Sequence, residues 1–322
     1  MGPMKPIKRF SCLGMCVILG AASALAQSPK PRRINIAIEL LENGQPVYYV
    51  GSHDGVSGSF EQGKKDAQTN GDYISYDMEH APYDVRALAE YMRGLKAGGP
   101  TKSGHQTPPV IAVVPVNGTD EATVRANAWQ VNQVLATGVH GIMLPHANTP
   151  GAVRAFVEAM RFPIHKQAVD QGLGEGRRGI HGVAMASKIW GVTPEEYLQK
   201  ADLWPLNPNG ELLLGLKMED KYSVANAEEI LKVPGISFGE LGPGDLILSL
   251  GLPRGSGGPI PPQLQQAHDK VFGLMKKNKI FYHDSARFGS VIELIKSGAM
   301  ILYASESEME AGRNYTKRPK PW

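Results

Sequence analysis

Eight apolar runs of strand length, most of them separated by segments with helical spacing, constrain this chain more than any other feature of its sequence. The runs are "PVYYVGS" (46–52), "YISYDME" (73–79), "VIAVVPV" (110–116), "GIMLPHA" (141–147), "ELLLGLKME" (211–219), "GISFGEL" (235–241), "KIFYHDS" (279–285) and "AMILYAS" (299–305). Between them lie "DVRALAEYMRGL", "ANAWQVNQVLATG", "PGAVRAFVEAMR", "VANAEEILKV", "PPQLQQAHDKVFGLMKK" and "RFGSVIELIKSG". Strand and helix alternating eight times over about 260 residues is the count and length of a closed (β/α)8 barrel. An open doubly wound sheet would carry a glycine-rich turn after its first strand. The stretch "GSHDGVSGSF" has glycines there, but not as G-x-G-x-x-G, so the barrel is the expected fold.

One connection breaks the rhythm. Residues 148–210 separate the fourth strand from the fifth, and a link of that length inside a compact domain is functional or carries helices of its own. "TPEEYLQKAD" supplies one: Thr193 is a helix N-cap, Pro194 stands at the first helical position, and Glu195 and Glu196 fill the first turn. The rest of the link is expected to cover one end of the barrel or to meet another subunit.

The 322 residues are 42% hydrophobic and 20% charged, enough apolar material for a full core and too much for a disordered chain. The net charge of +3 is scattered rather than gathered into a basic tract, which argues against nucleic-acid binding. At the start, Lys5, Lys8 and Arg9 precede a short apolar run and then Ala24-Leu25-Ala26. That order is expected of a secretory signal peptide over residues 1–26, because the apolar run is shorter than the roughly 20 residues of a spanning helix. A single barrel domain then occupies 27–322. Both cysteines, Cys12 and Cys16, lie in the segment to be removed. The expected product is an exported chain, periplasmic or secreted, without disulfides, thiolate nucleophiles or Cys-ligated zinc.

In a (β/α)8 enzyme the active site forms at the C-terminal ends of the strands. The second strand ends in Asp77, Glu79 and His80, the fifth in Lys217, Glu219 and Asp220, and the sixth runs into "ELGPGDL" with Asp245 in the following turn. Side chains two apart on a strand share a face, so Lys217 and Glu219 point the same way, as do Asp77 and Glu79. Glu219 and Asp245, from neighbouring strands, can converge as two hard oxygen donors, a set suited to Mg²⁺, Mn²⁺ or Co²⁺ rather than a closed zinc site. His80 is then a proton-transfer candidate, with Asp77 beside it. Taken alone, each of these residues also has a structural reading: a carboxylate as a helix cap, a histidine as a buried hydrogen-bonding group, Lys217 and Glu219 as an ion pair. A polymer-acting hydrolase would need two carboxylates facing each other across a cleft, and Glu79 and Glu219 are the pair available.

The motifs "YDMEHAP" (76–82), "GIMLPHANTP" (141–150), "LLLGLKMED" (212–220) and "ELGPGDLILSLG" (240–251), with "RRGIHG" and "EEYLQKAD" in the long connection, resemble in order and spacing the HpcH/HpaI aldolase family, the metal-dependent class II pyruvate aldolases related to citrate lyase β subunits. The resemblance runs from about residue 35 to 305. It implies a barrel, commonly in a homo-oligomer, that cleaves 4-hydroxy-2-oxo acids to pyruvate and an aldehyde. It also implies Glu219 and Asp245 as the divalent-metal ligands, His80 as acid and base, and the backbone near Gly244 as the holder of the substrate carboxylate. Three positions depart from the family pattern. Val113 or Val114 stands where the third strand of relatives carries an oxyanion-stabilising arginine. Ala136 replaces an aspartate that raises the basicity of the histidine. Lys217 replaces a substrate-contacting glutamine. Lys217, Arg254 or Arg125 would then supply the missing positive charge, and the expected activity is a carbon–carbon lyase acting on a 2-oxo acid or related small carboxylate. The alternative is an exported barrel that binds metal and ligand without turnover. Only "SESEMEAGRNYTKRPKPW" follows the last strand, room for a short helix and a basic tail.

Overall fold

The computed structural model describes residues 1–3, 32–51, 58–253 and 258–319. Arg254, both cysteines, the expected cleavage site after Ala26 and the last three residues lie outside the described residues.

All eight expected strands form, each shorter than its apolar run. They are β1 (Val47–Val50), β2 (Tyr73–Asp77), β3 (Val110–Val113), β4 (Gly141–Leu144), β5 (Leu213–Met218), β6 (Phe238–Leu241), β7 (Phe281–Asp284) and β8 (Ile301–Tyr303). They pair in parallel and in sequence order, and β1 pairs with β8 through Val47 and Ile301, closing the barrel. An open sheet is thereby excluded.

The helices are α1 (Ile36–Glu42), α2 (Phe60–Asp66), α3 (Val85–Gly98), α4 (Glu121–Ala136), α5 (Pro150–Met160), α6 (Val183–Trp190), α7 (Pro194–Lys200), α8 (Lys221–Ile230), α9 (Pro243–Ser249), α10 (Pro262–Lys277), α11 (Val291–Ser297) and α12 (Glu306–Tyr315). Local chemistry sets their starts. Asp84, Asp120, Thr149, Asp220 and Ser290 each accept a hydrogen bond from a backbone N–H in the first turn. The Asp120 cap starts α4 five residues before the helical run read from the sequence. Thr193 and Glu196 form a capping box on α7, with Pro194 at its first position. The C-terminal segment does hold a short helix, α12.

Strand alternation divides the core in two. Outward side chains such as Ile74, Ala112, Leu214, Leu216 and Leu302 pack under the helices. Inward side chains such as Val47, Tyr73, Ile111, Leu213, Phe238 and Ile301 fill the lower barrel, where Ala37, Ile38 and Leu41 of α1 join them. A side chain on Gly215 would collide with the Phe238 ring, so this glycine lets the ring lie across the barrel interior. The long connection carries α5, α6 and α7 and covers the same end as α1: Trp204 joins the inner cluster and stacks on Phe281 at 5.6 Å. The N-terminal ends of the strands are therefore closed, and the C-terminal ends open into one large cavity.

Candidate active site

A cavity of about 830 Å³ occupies the C-terminal mouth, lined among others by Asp77, His80, Val113, Lys217, Glu219, Gly244 and Asp245. Asp77, His80, Lys217, Glu219, Gly244 and Asp245, all expected at the site from the sequence, line it.

At the end of β2 the chain must turn, and Asp77 holds that turn. Its Oδ1 accepts from the backbone N–H groups of Glu79 (2.8 Å) and His80 (2.9 Å), while its Oδ2 lies 2.9 Å from His80 Nδ1. An ionised carboxylate only accepts, so Nδ1 carries the proton and Nε2 is the basic nitrogen of His80. Asp77 is 3% exposed, whereas the His80 side chain is 38% exposed and reaches the cavity. A buried carboxylate thus fixes the tautomer and orientation of a partly open imidazole.

On β5, Lys217 and Glu219 face the cavity side by side, as strand parity requires. Lys217 Nζ donates to Glu79 Oε2 at 2.5 Å and lies 3.2 Å from Glu219 Oε2. Burial disfavours its charged form, but the attraction of Glu219, Glu240 and Glu79 more than offsets this and holds the ammonium above its ordinary pKa. For Glu219, burial raises the pKa, with Lys217 opposing. The other Glu219 oxygen accepts from the backbone N–H of His146 at 2.9 Å. His146 has φ 48°, a left-handed conformation uncommon outside glycine, at the turn that delivers this N–H. The Asp220 carboxylate, 3.7 Å from His146 Nδ1, holds the imidazole pKa up, with Glu219 and Glu79 adding attraction. His146 carried no sequence signal beyond being a polar residue just past a strand.

Glu79 and Glu219 do not face each other across an open cleft. The Lys217 ammonium sits against both carboxylates, which leaves no place for a sugar ring between them and removes the geometric basis for a hydrolase.

Glu219 and Asp245 are the two carboxylates expected to meet a divalent cation. Glu219 and Asp245 both line the cavity. A Cβ on Gly242 would come within 2.7 Å of Glu219 Oε2, so glycine at this position lets the carboxylate lie against the start of α9. Asp245 stands in the first turn of that helix, and its exposed carboxylate makes no hydrogen bond or ion pair to the described residues. Among the described residues, the groups of three donors lying within 4.8 Å are Asp77–Glu79–His80 and Glu79–His146–Glu219; neither includes Asp245. A cation on Glu219 and Asp245 would keep most of its coordination positions for water and substrate.

Two expectations are corrected. Arg125 lies on α4, where Glu121 Oε1 (2.7 Å) and Glu158 Oε2 (2.9 Å) hold it in the helix layer, away from the cavity. Ala136 ends α4 against Gly182, at the barrel end where β4 begins, so this position does not face His80 within the chain. The carboxylate that serves His80 is Asp77. Of the two valines at the arginine position, Val113 faces the cavity and Val114 packs outward.

Residues 63–300 match the HpcH/HpaI aldolase/citrate lyase family. The chain belongs to this family. Its relatives include a 2-keto-3-deoxy-L-rhamnonate aldolase of Klebsiella pneumoniae, 31% identical over 60% of this chain and 60% of that protein. A hydroxypyruvate/pyruvate aldolase of Deinococcus radiodurans is 29% identical over 56% of this chain and 52% of its own length. The matched part thus spans about half to two thirds of these curated relatives. An HpcH/HpaI family structure from Burkholderia cenocepacia superposes with a TM-score of 0.63 at 23% identity, covering 88% of this chain and 97% of that one. An HpcH/HpaI aldolase from Desulfitobacterium hafniense gives 0.59 at 21% identity, over 87% and 93%. These structures show a shared fold. In this family member the sites that differ most from the resemblance, Val113 and Lys217, face the cavity together.

Proposed function

We propose that this family member is a divalent-metal-dependent lyase that breaks the C3–C4 bond of a 4-hydroxy-2-oxo acid or a related carboxylate. One observation carries the reading: the Asp77–His80 pair opens onto the same cavity as Glu219, Asp245 and Lys217. Glu219 and Asp245 would hold Mg²⁺, Mn²⁺ or Co²⁺, which supplies Lewis-acid stabilisation of charge developing on the 2-oxo group. His80 Nε2 takes the C4 hydroxyl proton, with Asp77 fixing the tautomer and favouring the imidazolium that results. Backbone N–H groups at Gly244 and Asp245, in the first turn of α9, donate to the substrate carboxylate, with Arg254 the sequence candidate for an added charge. The Lys217 ammonium supplies the fixed positive charge that Val113 cannot. A preorganised donor of that kind is worth roughly 10²- to 10³-fold in rate. Export after cleavage at Ala26 and assembly into a homo-oligomer belong to the same proposal, the first resting on the N-terminal pattern and the second on the family resemblance.

The test is deuterium uptake at C3 of pyruvate or 2-oxobutyrate in D₂O, followed by NMR with Mg²⁺ or Mn²⁺ present and the paramagnetic ion removed before reading. Metal-dependent exchange, abolished by EDTA and by Glu219→Gln, is expected. Mn²⁺ affinity, read separately by electron paramagnetic resonance, should fall at least about tenfold in Glu219→Gln and in Asp245→Asn. Val113 on the cavity wall favours one second reading, a barrel that binds metal and 2-oxo acid without turnover. Metal and ligand binding with no exchange above background would select it.

A further inference from the structure

The groups assigned above use one side of the cavity, from β2 to the start of α9. The other side, built by β1, β7, β8, the inward face of β6 and Tyr73 at the start of β2, is unlike an ordinary barrel interior, which is filled with branched apolar side chains. Tyr49 stacks on Tyr73 with ring centroids 5.1 Å apart and planes at 17°. Its ring meets His283 edge-on at 4.9 Å and Tyr303 at 5.5 Å. His283 Nε2 lies 3.0 Å from the Tyr49 hydroxyl, and Nδ1 lies 2.6 Å from Glu240 Oε2. All five side chains line the cavity.

Two of them are incompletely used by the fold. Tyr73 is 2% exposed, yet its hydroxyl has no hydrogen-bond partner among the described residues. Tyr303 is 54% exposed at the mouth, a large aromatic surface left uncovered beside a cavity. A cavity-lining phenol with no protein partner among the described residues and an uncovered ring beside it are what a ligand with both a ring and a hydroxyl would satisfy. The space agrees: about 830 Å³ is in the range that holds drug-sized ligands, far more than a three-carbon oxo acid fills. Glu240 makes this side unfavourable for a second carboxylate.

We propose that this wall binds the aldehyde half of the substrate, and that this half is an uncharged hydroxyaryl group. The inference rests on the lyase reading for the chemistry, but not for the binding. The ring lies against Tyr303 and Tyr49, and its hydroxyl exchanges hydrogen bonds with Glu240 and Tyr73. The substrate is a 4-hydroxyaryl-4-hydroxy-2-oxobutanoate. On cleavage the C4 hydroxyl proton passes to His80, and C4 becomes the carbonyl carbon of the hydroxyaryl aldehyde. The electron pair of the broken C3–C4 bond remains on the three-carbon fragment, and a proton returned to C3 completes pyruvate. No oxidant or reductant is required.

The experiment has two arms. In the first, calorimetry or ligand-observed NMR measures binding of 4-hydroxybenzyl alcohol, which cannot react, to the full chain. Saturable binding is expected, with benzyl alcohol and glycerol each at least about tenfold weaker. Tyr303→Ala, at a half-exposed position, and Glu240→Gln should each weaken it about tenfold. In the second arm, addition of pyruvate to 4-hydroxybenzaldehyde is compared with addition to glyceraldehyde. The kcat/KM ratio should favour the aromatic aldehyde at least about tenfold, and Tyr303→Ala should reduce that ratio by a similar factor. Equal binding of glycerol and 4-hydroxybenzyl alcohol, or binding indifferent to both substitutions, overturns the proposal. So does a ratio favouring glyceraldehyde. If pyruvate shows no deuterium exchange while 4-hydroxybenzyl alcohol binds in a Tyr303-dependent way, the lyase reading falls and the aryl site stands.

Discussion

Among the histidines of this barrel that lean on carboxylates, His80 and His268 do so with different consequences. For His80, removing the orienting partner by Asp77→Asn should cost deuterium exchange at least about a hundredfold while leaving Mn²⁺ affinity within a few fold, because the tautomer is lost and the cation donors stay. A matching loss of Mn²⁺ binding would show that Asp77 supports the whole mouth instead. His268 on α10 lies 3.2 Å from Asp284 of β7 and 3.1 Å from Asp269 on its own helix. Burial lowers its pKa, but the hydrogen bonds to Asp284 and Asp269 outweigh this and raise it overall. With the folded value above the unfolded one of about 6.5, the stabilisation is fully present below that pH and is lost as pH rises through the folded pKa. His268→Gln should therefore cost more unfolding free energy at pH 6 than at pH 9 in urea titrations; a pH-independent cost would refute the assignment. Asp77, His80, Lys217 and Glu219 were legible in the sequence because each sits at a strand end in a motif. Glu240 and His283 lie inside strands, and which face they occupy depends on register, which spacing alone leaves open. Tyr49 and Tyr303 read as ordinary strand aromatics until the barrel closes around them.

At the scale of elements, the long connection shows what local signals can and cannot announce. Its helix α7 was readable from Thr193 and Pro194. Helix α6 begins at Gly182 with φ 80° and no side-chain cap, so nothing polar marks its start. Within the connection, a buried pair ties the end of α5 to the segment after α7: Arg161, 1% exposed, donates through Nε and Nη2 to the two oxygens of Asp202 at 2.7 and 3.1 Å. Asp202→Asn leaves the guanidinium without its counter-charge and should destabilise the protein by roughly 3–5 kcal/mol in denaturant titration. Replacing both residues with apolar ones of similar volume should cost less, which separates a stranded charge from a lost contact. The stretch that follows β6 was expected as a turn carrying Asp245, and it forms helix α9 instead. Pro243 at its first position fits the helix start without a side-chain cap.

For the whole molecule, closure was legible because eight alternations leave few other ways to bury eight apolar runs, and the β1–β8 pairing completes them. Which end is sealed was not legible, since it depends on α1 and Trp204 reaching inner residues far away in sequence. If the proposed export holds, the mature protein recovered from the periplasm or medium should begin at Gln27 and be insensitive to thiol reagents, measured by mass spectrometry of the intact chain; a product retaining Cys12 and Cys16 would refute it. The sealed end has a practical side. Residues 32–35 lead directly into α1, and Arg318, near the other end of the described chain, anchors to the Pro46 carbonyl and to Asp72 beside the start of β1. Arg32, at the start of the described barrel, and Arg318 thus both lie at the floor of the barrel. Tethered to a bead or a surface through either one, every copy would stand with its mouth turned toward the solution.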